Sequence, residues 1–144
     1  MLGKIAFIVI SASIGHTVVA ADACATPDAN FGTFLKKFKN DRQFRASRIV
    51  FPLQVAYTEP GGTTTESITL QQFQERKMGL IRGDQEARAL AGGEGALCES
   101  DPVVKKNEAV FGQYSCGTDV YSDEYHFINT NGCWMLTRLA ASGG

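Results

Sequence analysis

Asn131-Gly132 stands between two runs of alternating residues, Tyr121–Thr130 and Cys133–Ala140. Both residues of an Asn-Gly pair accept positive φ, which is what a two-residue hairpin turn demands, so the two runs predict neighbouring antiparallel strands. With a two-residue or a four-residue turn, Tyr125, Phe127, Trp134 and Leu136 fall on one face and His126, Ile128, Cys133 and Met135 on the other. A third run, Val110–Cys116, comes before them, separated by Gly117-Thr118-Asp119. The C-terminal part of the chain therefore reads as a three-strand meander, with an aromatic face that needs helices to cover it.

Those helices precede it. Thr26-Pro27-Asp28 reads as a helix start, with Thr26 capping, Pro27 at the first helical position and Asp28 at the positive end. Phe31, Phe34, Leu35 and Phe38 then recur at helical spacing on one face. Asn40-Asp41 breaks this helix, and Asp41 caps a short second one that carries Phe44. From Ile49 the period changes to two: Leu53, Val55 and Tyr57 alternate with Gln54, Ala56 and Thr58. Glu59-Pro60-Gly61-Gly62 is a turn into the β-branched run Thr63–Leu70, a second hairpin. Pro52 makes the first of these strands an edge strand or places its start there. Thr69-x-x-Gln72 has the form of a capping box and opens a helix to about Met78, ended by Gly79. Residues 79–102 are glycine-rich, including Gly92-Gly93-x-Gly95, and are expected to form a long mobile loop with a short helix over Gln85–Ala91.

The N-terminus belongs to a different category. Lys4, the apolar stretch Ile5–Val19 and the small residues Ala20-Ala21-Asp22-Ala23 have the layout of a secretory signal peptide over residues 1–20, cut after Ala20 or Ala23. What remains is roughly 120 residues, and residues 24–141 make one α+β domain. Four cysteines, Cys24, Cys98, Cys116 and Cys133, survive either cut, and an even number in an exported chain predicts two disulfides. Their spacing contains no C-x-x-C, so no zinc site and no other metal or cofactor is expected. Cys116 and Cys133 lie near opposite ends of the last hairpin, which excludes that pair at about 3.3 Å per residue. Two connectivities remain; Cys24–Cys116 with Cys98–Cys133 is the expected one and Cys24–Cys133 with Cys98–Cys116 the alternative. Ala21-Asp22-Ala23-Cys24 also loosely resembles a bacterial lipoprotein box, which would anchor the chain at Cys24. The absence of an N-x-S/T sequon fits a bacterial periplasmic or secreted protein. Hydrophobic residues at 44% and charged residues at 20% are globular values. Removing Lys4 moves the net charge from −1 to −2, which gives no case for nucleic-acid binding, and no second apolar run is long enough to span a membrane.

The order helix, short helix, hairpin, helix, meander resembles the cone-shaped fold of the nuclear-transport-factor-two superfamily, also called cystatin-like or ketosteroid-isomerase-like. A narrower resemblance rests on Phe34-x-x-x-Phe38-x-x-Asp41-x-x-Phe44-x-x-x-Arg48-x-x-Phe51-Pro52-Leu53, with Tyr125-x-Phe127 and Gly132-x-Trp134-x-Leu136. These residues are similar to a family of exported bacterial domains of unknown function, many of them lipoproteins. The resemblance implies N-terminal helices packed on a curved, mostly antiparallel sheet. It implies no established activity and no catalytic residue. It covers both ends of the chain and leaves the middle, with its glycine-rich loop and four cysteines, outside the pattern.

Few side chains carry chemistry. His126 is the only histidine after cleavage, and no serine sits in a G-x-S-x-G elbow. A lone histidine on the less aromatic face is more often structural than catalytic. Asp119, Asp123 and Glu124 cluster between strands, and Asp123 shares the Tyr125 face, near Arg138 in one register. A carboxylate there acts as a general base when burial raises its pKa; otherwise it forms a cross-strand ion pair. Arg48 either holds an anionic ligand or ties its strand to a helix end or to Asp41, the second being the commoner role. Arg82-Gly83-Asp84 matches the integrin-binding tripeptide at a level composition alone produces. The expectation is thus an exported, disulfide-stabilised binding domain rather than an enzyme. Its partner is a protein, as for an immunity or inhibitor protein, or a small apolar ligand held by Tyr57, Tyr125, Phe127, Trp134 and Arg48. The alternative is a small isomerase or dehydratase with an interior acid. By analogy with cone domains, the Ile128/Met135 face is a candidate homodimer surface.

Overall fold

Phe31, Phe34, Leu35 and Phe38 are all buried along one side of α1 (Phe31–Asn40), and they meet the meander on its aromatic face. The structure, a computed structural model, describes residues 24–85, 96–117 and 121–143. The leader with both cleavage sites, most of the helix expected over 85–91, the Gly92-Gly93-x-Gly95 run and Asp119 lie outside the described residues.

α1 begins later than Thr26-Pro27-Asp28. Asn30 is its cap, accepting the Thr33 N–H at 2.9 Å. The reason is tertiary: residues 24–28 are drawn onto the tip of the last hairpin. Asp28 N–H donates to the Gly132 carbonyl at 2.8 Å, and the Asp28 carboxylate accepts the Trp134 N–H at 2.8 Å. Asp41 caps α2 (Arg42–Ser47) as expected, accepting the Phe44 N–H.

Among the described residues, one sheet of seven strands carries these helices. Its strands are β1 (Ile49–Glu59), β2 (Gly62–Ile68), β3 (Leu97–Glu99), β4 (Val103–Lys105), β5 (Glu108–Ser115), β6 (Tyr121–Thr130) and β7 (Cys133–Gly143). The spatial order is β2-β1-β7-β6-β5-β3, with β4 also paired to β5. Among the described strands only β1 and β7 run parallel; every other pair is antiparallel. β1 is therefore an interior strand, against the edge position that Pro52 suggests. The β1–β7 register shifts between Ile49 and Gln54, and the β1–β2 ladder starts at Leu53, so Pro52 falls where no ladder bond is asked of it. Two three-residue strands, β3 and β4, were not expected: they are too short to show a period in the sequence.

Asn131 and Gly132 take φ of 53° and 84°, and Thr130 faces Cys133, so the hairpin turn has two residues. Glycine is required here twice over, because a Cβ on Gly132 would lie 2.8 Å from Pro27 Cβ. The face assignment holds near the turn, where Phe127 faces Leu136. Beyond it, Thr137 is an extra residue between the Phe127–Leu136 and His126–Arg138 pairs. This bulge flips the parity of β7. Leu139 now turns inward opposite Tyr125, and Arg138 pairs with His126, three residues from the Asp123–Ala141 pair. The suggested Asp123–Arg138 neighbourhood does not form.

α3 (Leu70–Glu75) opens with the full capping box of Thr69 and Gln72. It stops short of Met78 because Lys77 adopts φ 48°, so Gly79 is not its terminator. The stretch that follows is not the loose loop expected, at least over 79–85. Ile81 is 1% exposed in the core, and the side chain of Gln113, fully buried, bonds both the N–H and the carbonyl of Arg82. Asp84 pairs with Lys39 at 2.7 Å, and Asn40 bonds it as well. These contacts hold Arg82-Gly83-Asp84 in place as part of the fold.

The disulfides are Cys24–Cys133 and Cys98–Cys116, with Cα separations of 5.8 Å and 5.2 Å. This corrects the expected Cys24–Cys116 and Cys98–Cys133 pairing. β3 pairs with the end of β5, Leu97 facing Ser115, and so carries Cys98 to Cys116. The docking of residues 24–28 on the hairpin tip leaves Cys24 beside Cys133. The Cys116–Cys133 pair is absent, as strand length requires.

Candidate functional site

The inner face of the sheet divides into a filled end and an open end. At the filled end Phe127 meets the rings of Phe31, Phe34 and Phe38 at centroid distances of 5.3, 5.5 and 5.2 Å, and Trp134 meets Phe31 at 5.0 Å. Phe127 and Trp134, two of the expected pocket residues, are thus occupied by the chain's own aromatics. Arg48 is also buried here. Its two terminal nitrogens lie 3.0 and 3.2 Å from the Asp28 carboxylate oxygens, one of them donates to the Trp134 carbonyl, and its guanidinium sits 4.7 Å from the Phe44 ring centre. The partner is Asp28 rather than Asp41, and the guanidinium's charge is balanced within the fold.

At the open end the β6 residues Tyr125, Asp123 and Tyr121 succeed one another along the inner face, the period of a strand placing all three on one side. Beyond Tyr125 the floor opens into a cleft of about 530 Å³ between β1, β6 and β7. Tyr57, Glu59, Tyr121, Asp123 and Ser142 line it. The Tyr125 hydroxyl, on a side chain 1% exposed, donates to Asp123 Oδ2 at 3.4 Å, and Tyr121 also hydrogen-bonds Asp123. Burial raises the Asp123 carboxyl above its ordinary pKa, while the two phenols and the Arg82 charge oppose the rise. Tyr121 is pushed up to about 12, first by burial and then by the Asp123 charge. Tyr125 is raised by the same causes. Both phenols therefore remain protonated donors at neutral pH. The arrangement is a half-buried carboxylate held by two phenols at the mouth of a cleft, a geometry suited to receiving an N–H or a proton from a bound molecule.

The structure brings Asp123, Tyr125 and Tyr57 to this end of the sheet and leaves His126 on the outer face. His126 Nε2 lies 2.7 Å from Glu124 Oε1, and its strand partner is Arg138, so it contributes no atom to the cleft. Ile128 is exposed and Met135 buried on that same outer side. Tyr121, Gln113 and Arg82 were missed by the sequence reading. Tyr121 and Gln113 share the parity of their buried strand neighbours, Tyr125 and Phe111, and that was the available signal. Arg82 gave none, since it reaches Tyr121 only through the fold. Among the described residues no group of three or more His, Cys, Asp or Glu side chains is placed to hold a metal ion.

The raised Asp123 value has a consequence for stability. The carboxyl titrates higher folded than unfolded, so the folded state binds the proton more tightly. Stability then falls as pH rises from about 3.9, the unfolded value, through the folded value, and levels off above it. Asp123→Asn removes this segment. Urea midpoints measured from pH 4 to 7 are expected to decline in the parent relative to the variant; parallel profiles would show that burial does not perturb the group.

No family model matches the chain, and no curated protein matches it. Among solved structures, an NTF2-like protein from Bacteroides fragilis NCTC 9343 aligns with 83% of this chain at 16% identity and a TM-score of 0.51. The chain has the NTF2-like fold. It spans about half the length of that protein, 50% of which is covered. NTF2-like proteins of unknown function from Methylobacillus flagellatus KT and Silicibacter pomeroyi DSS-3 are also similar. They cover 78% and 76% of this chain and 88% and 86% of their own, at 7% and 13% identity, with TM-scores of 0.46 and 0.41. In NTF2-like terms, the curved sheet is covered by helices at the Phe127 end and, among the described residues, bears a cleft at the Asp123 end.

Proposed function

We propose that the protein is an exported, disulfide-stabilised binding domain whose ligand is a small amine seated in the Asp123 cleft. The observation that carries this reading is the half-buried Asp123 carboxylate, held by Tyr121 and Tyr125 at a cleft whose other lining includes the Tyr57 ring and the Glu59 carboxylate. A carboxylate beside aromatic faces suits a protonated nitrogen, which gains a charge-assisted hydrogen bond and a cation–π contact. The cleft volume of about 530 Å³ falls within the usual range for small-molecule sites, about 300–1,000 Å³. Export is supported by two disulfides, which persist in oxidising compartments. No helix among the described residues is long and apolar enough to cross a membrane.

The test is calorimetric titration with tyramine and with its neutral analogue, 4-ethylphenol. Tyramine is expected to bind saturably and at least tenfold more tightly, and Asp123→Asn to remove that preference. Equal affinity for the two compounds, or an unchanged preference in the variant, overturns the reading. The same raised carboxyl favours a second one, a proton-transferring enzyme with Asp123 as base. Deuterium exchange at an acidic C–H of a ligand held in the cleft, lost in Asp123→Asn, distinguishes it from binding alone.

A further inference from the structure

A second groove lies on the helical side of the molecule, between α2 and the segment that follows α3. Phe73, Met78 and Leu80 pack against the core on one side and line the groove on the other, in a space of about 580 Å³. Arg42, Arg45 and Lys77 stand around it, and no carboxylate is among its described lining residues. Arg45 is fixed there because its guanidinium donates to the carbonyls of Phe38 and Lys39 at the end of α1. Arg42 and Lys77 are exposed, and Lys77 is presented by the left-handed residue that ends α3. The Asp123 cleft differs: its described lining residues include two carboxylates and no cation, and the nearby charge that reaches Asp123 is that of Arg82.

An apolar floor under a rim of one sign selects an amphiphile of the other sign. We propose that this groove binds a soluble single-chain alkyl carboxylate, its chain on Phe73, Met78 and Leu80 and its headgroup between Arg42 and Lys77. The space of about 580 Å³ sits within the range of ligand pockets, about 300–1,000 Å³, and takes one alkyl chain. This site is separate from the amine cleft and does not depend on it.

The probe is dodecanoate below its micellar concentration, added to the intact, oxidised protein at low ionic strength. Calorimetry is expected to give saturable binding of one molecule. With methyl-labelled methionine, the Met78 signal is expected to shift with the same saturation while Met135 stays in place. Shortening the chain by two carbons is expected to weaken binding roughly tenfold, as loss of buried methylenes requires. The double variant Arg42→Glu, Lys77→Glu changes only exposed side chains and is expected to weaken dodecanoate at least tenfold and to improve dodecyltrimethylammonium. Asp123→Asn is expected to leave dodecanoate binding unchanged. The proposal is overturned by an unmoved Met78 signal, by equal affinity for dodecanoate and dodecyltrimethylammonium, or by indifference to the charge reversal. Association only with phosphatidylglycerol vesicles, and not with the free carboxylate, overturns it as well.

Discussion

Phe127→Ala is expected to lower stability by about 3–5 kcal/mol, the upper range for removing a buried aromatic ring. Phe127 is 1% exposed and touches three α1 rings, all edge-on, Phe31 at an interplanar angle of 64°, Phe34 at 80° and Phe38 at 89°. It packs among three α1 rings in a close-packed interior, so its removal leaves a cavity that its neighbours fill only in part. Phe127→Leu retains part of the volume and is expected to lose roughly half as much. Guanidinium denaturation under non-reducing conditions gives both values. A loss below about 1 kcal/mol for the alanine variant would mean that the interior is loosely packed, contrary to the ring contacts.

Arg48→Met has the second large effect. The Arg48 and Asp28 side chains are 7% and 9% exposed and 3.0 Å apart, so removing the guanidinium strands a buried carboxylate. Breaking such a pair from one side costs about 3–5 kcal/mol, whereas replacing both partners costs far less. Asp28→Asn added to Arg48→Met is therefore expected to restore at least half of the loss. Asparagine keeps an acceptor for the Trp134 N–H that Asp28 now receives. The double-mutant cycle decides between this structural role and a role for Arg48 in binding. Full loss in both the single and the double variant would show that the guanidinium's contacts to Phe44 and the Trp134 carbonyl matter more than its charge partner.

Local physics explains which parts of the fold were legible. Asn131-Gly132, the Thr69/Gln72 capping box, the Asp41 cap and the Phe31–Phe38 stripe act over a few residues, and each appears in the structure where the sequence put it. Thr26-Pro27-Asp28 is as good a local start signal, and it failed because a tertiary partner outbid the helix for Asp28. The Cys24–Cys133 bond holds the same segment to the hairpin tip. Of the two readings of Pro52, the edge strand fails, whereas the β1–β2 ladder does begin at Leu53: the missing N–H matters only in a continuous ladder, and the register shift of β1 on β7 removes that requirement.

The candidate site was half visible. Alternation along β6 put Asp123 and Tyr125 on the inner face, and the same parity included Tyr121, which the sequence reading passed over. Arg82 was out of reach, since Gln113, from a different strand, positions its backbone. His126 and Asp123 looked equally chemical in the sequence; their opposite parity puts a whole sheet between them.

The sequence alone therefore determined the two hairpins, the alternation of faces along β6, the Asp41 and Thr69 helix caps and the exclusion of a Cys116–Cys133 bond. All of these follow from periods of two or 3.6 and from turn chemistry, which act between near neighbours. The tertiary structure decided the parallel pairing of β1 with β7, the disulfide partners, the Asp28–Arg48 bond and the flip of parity at Thr137. Those depend on which distant segments come to share one surface, and packing of the whole chain, not any local preference, selects that arrangement.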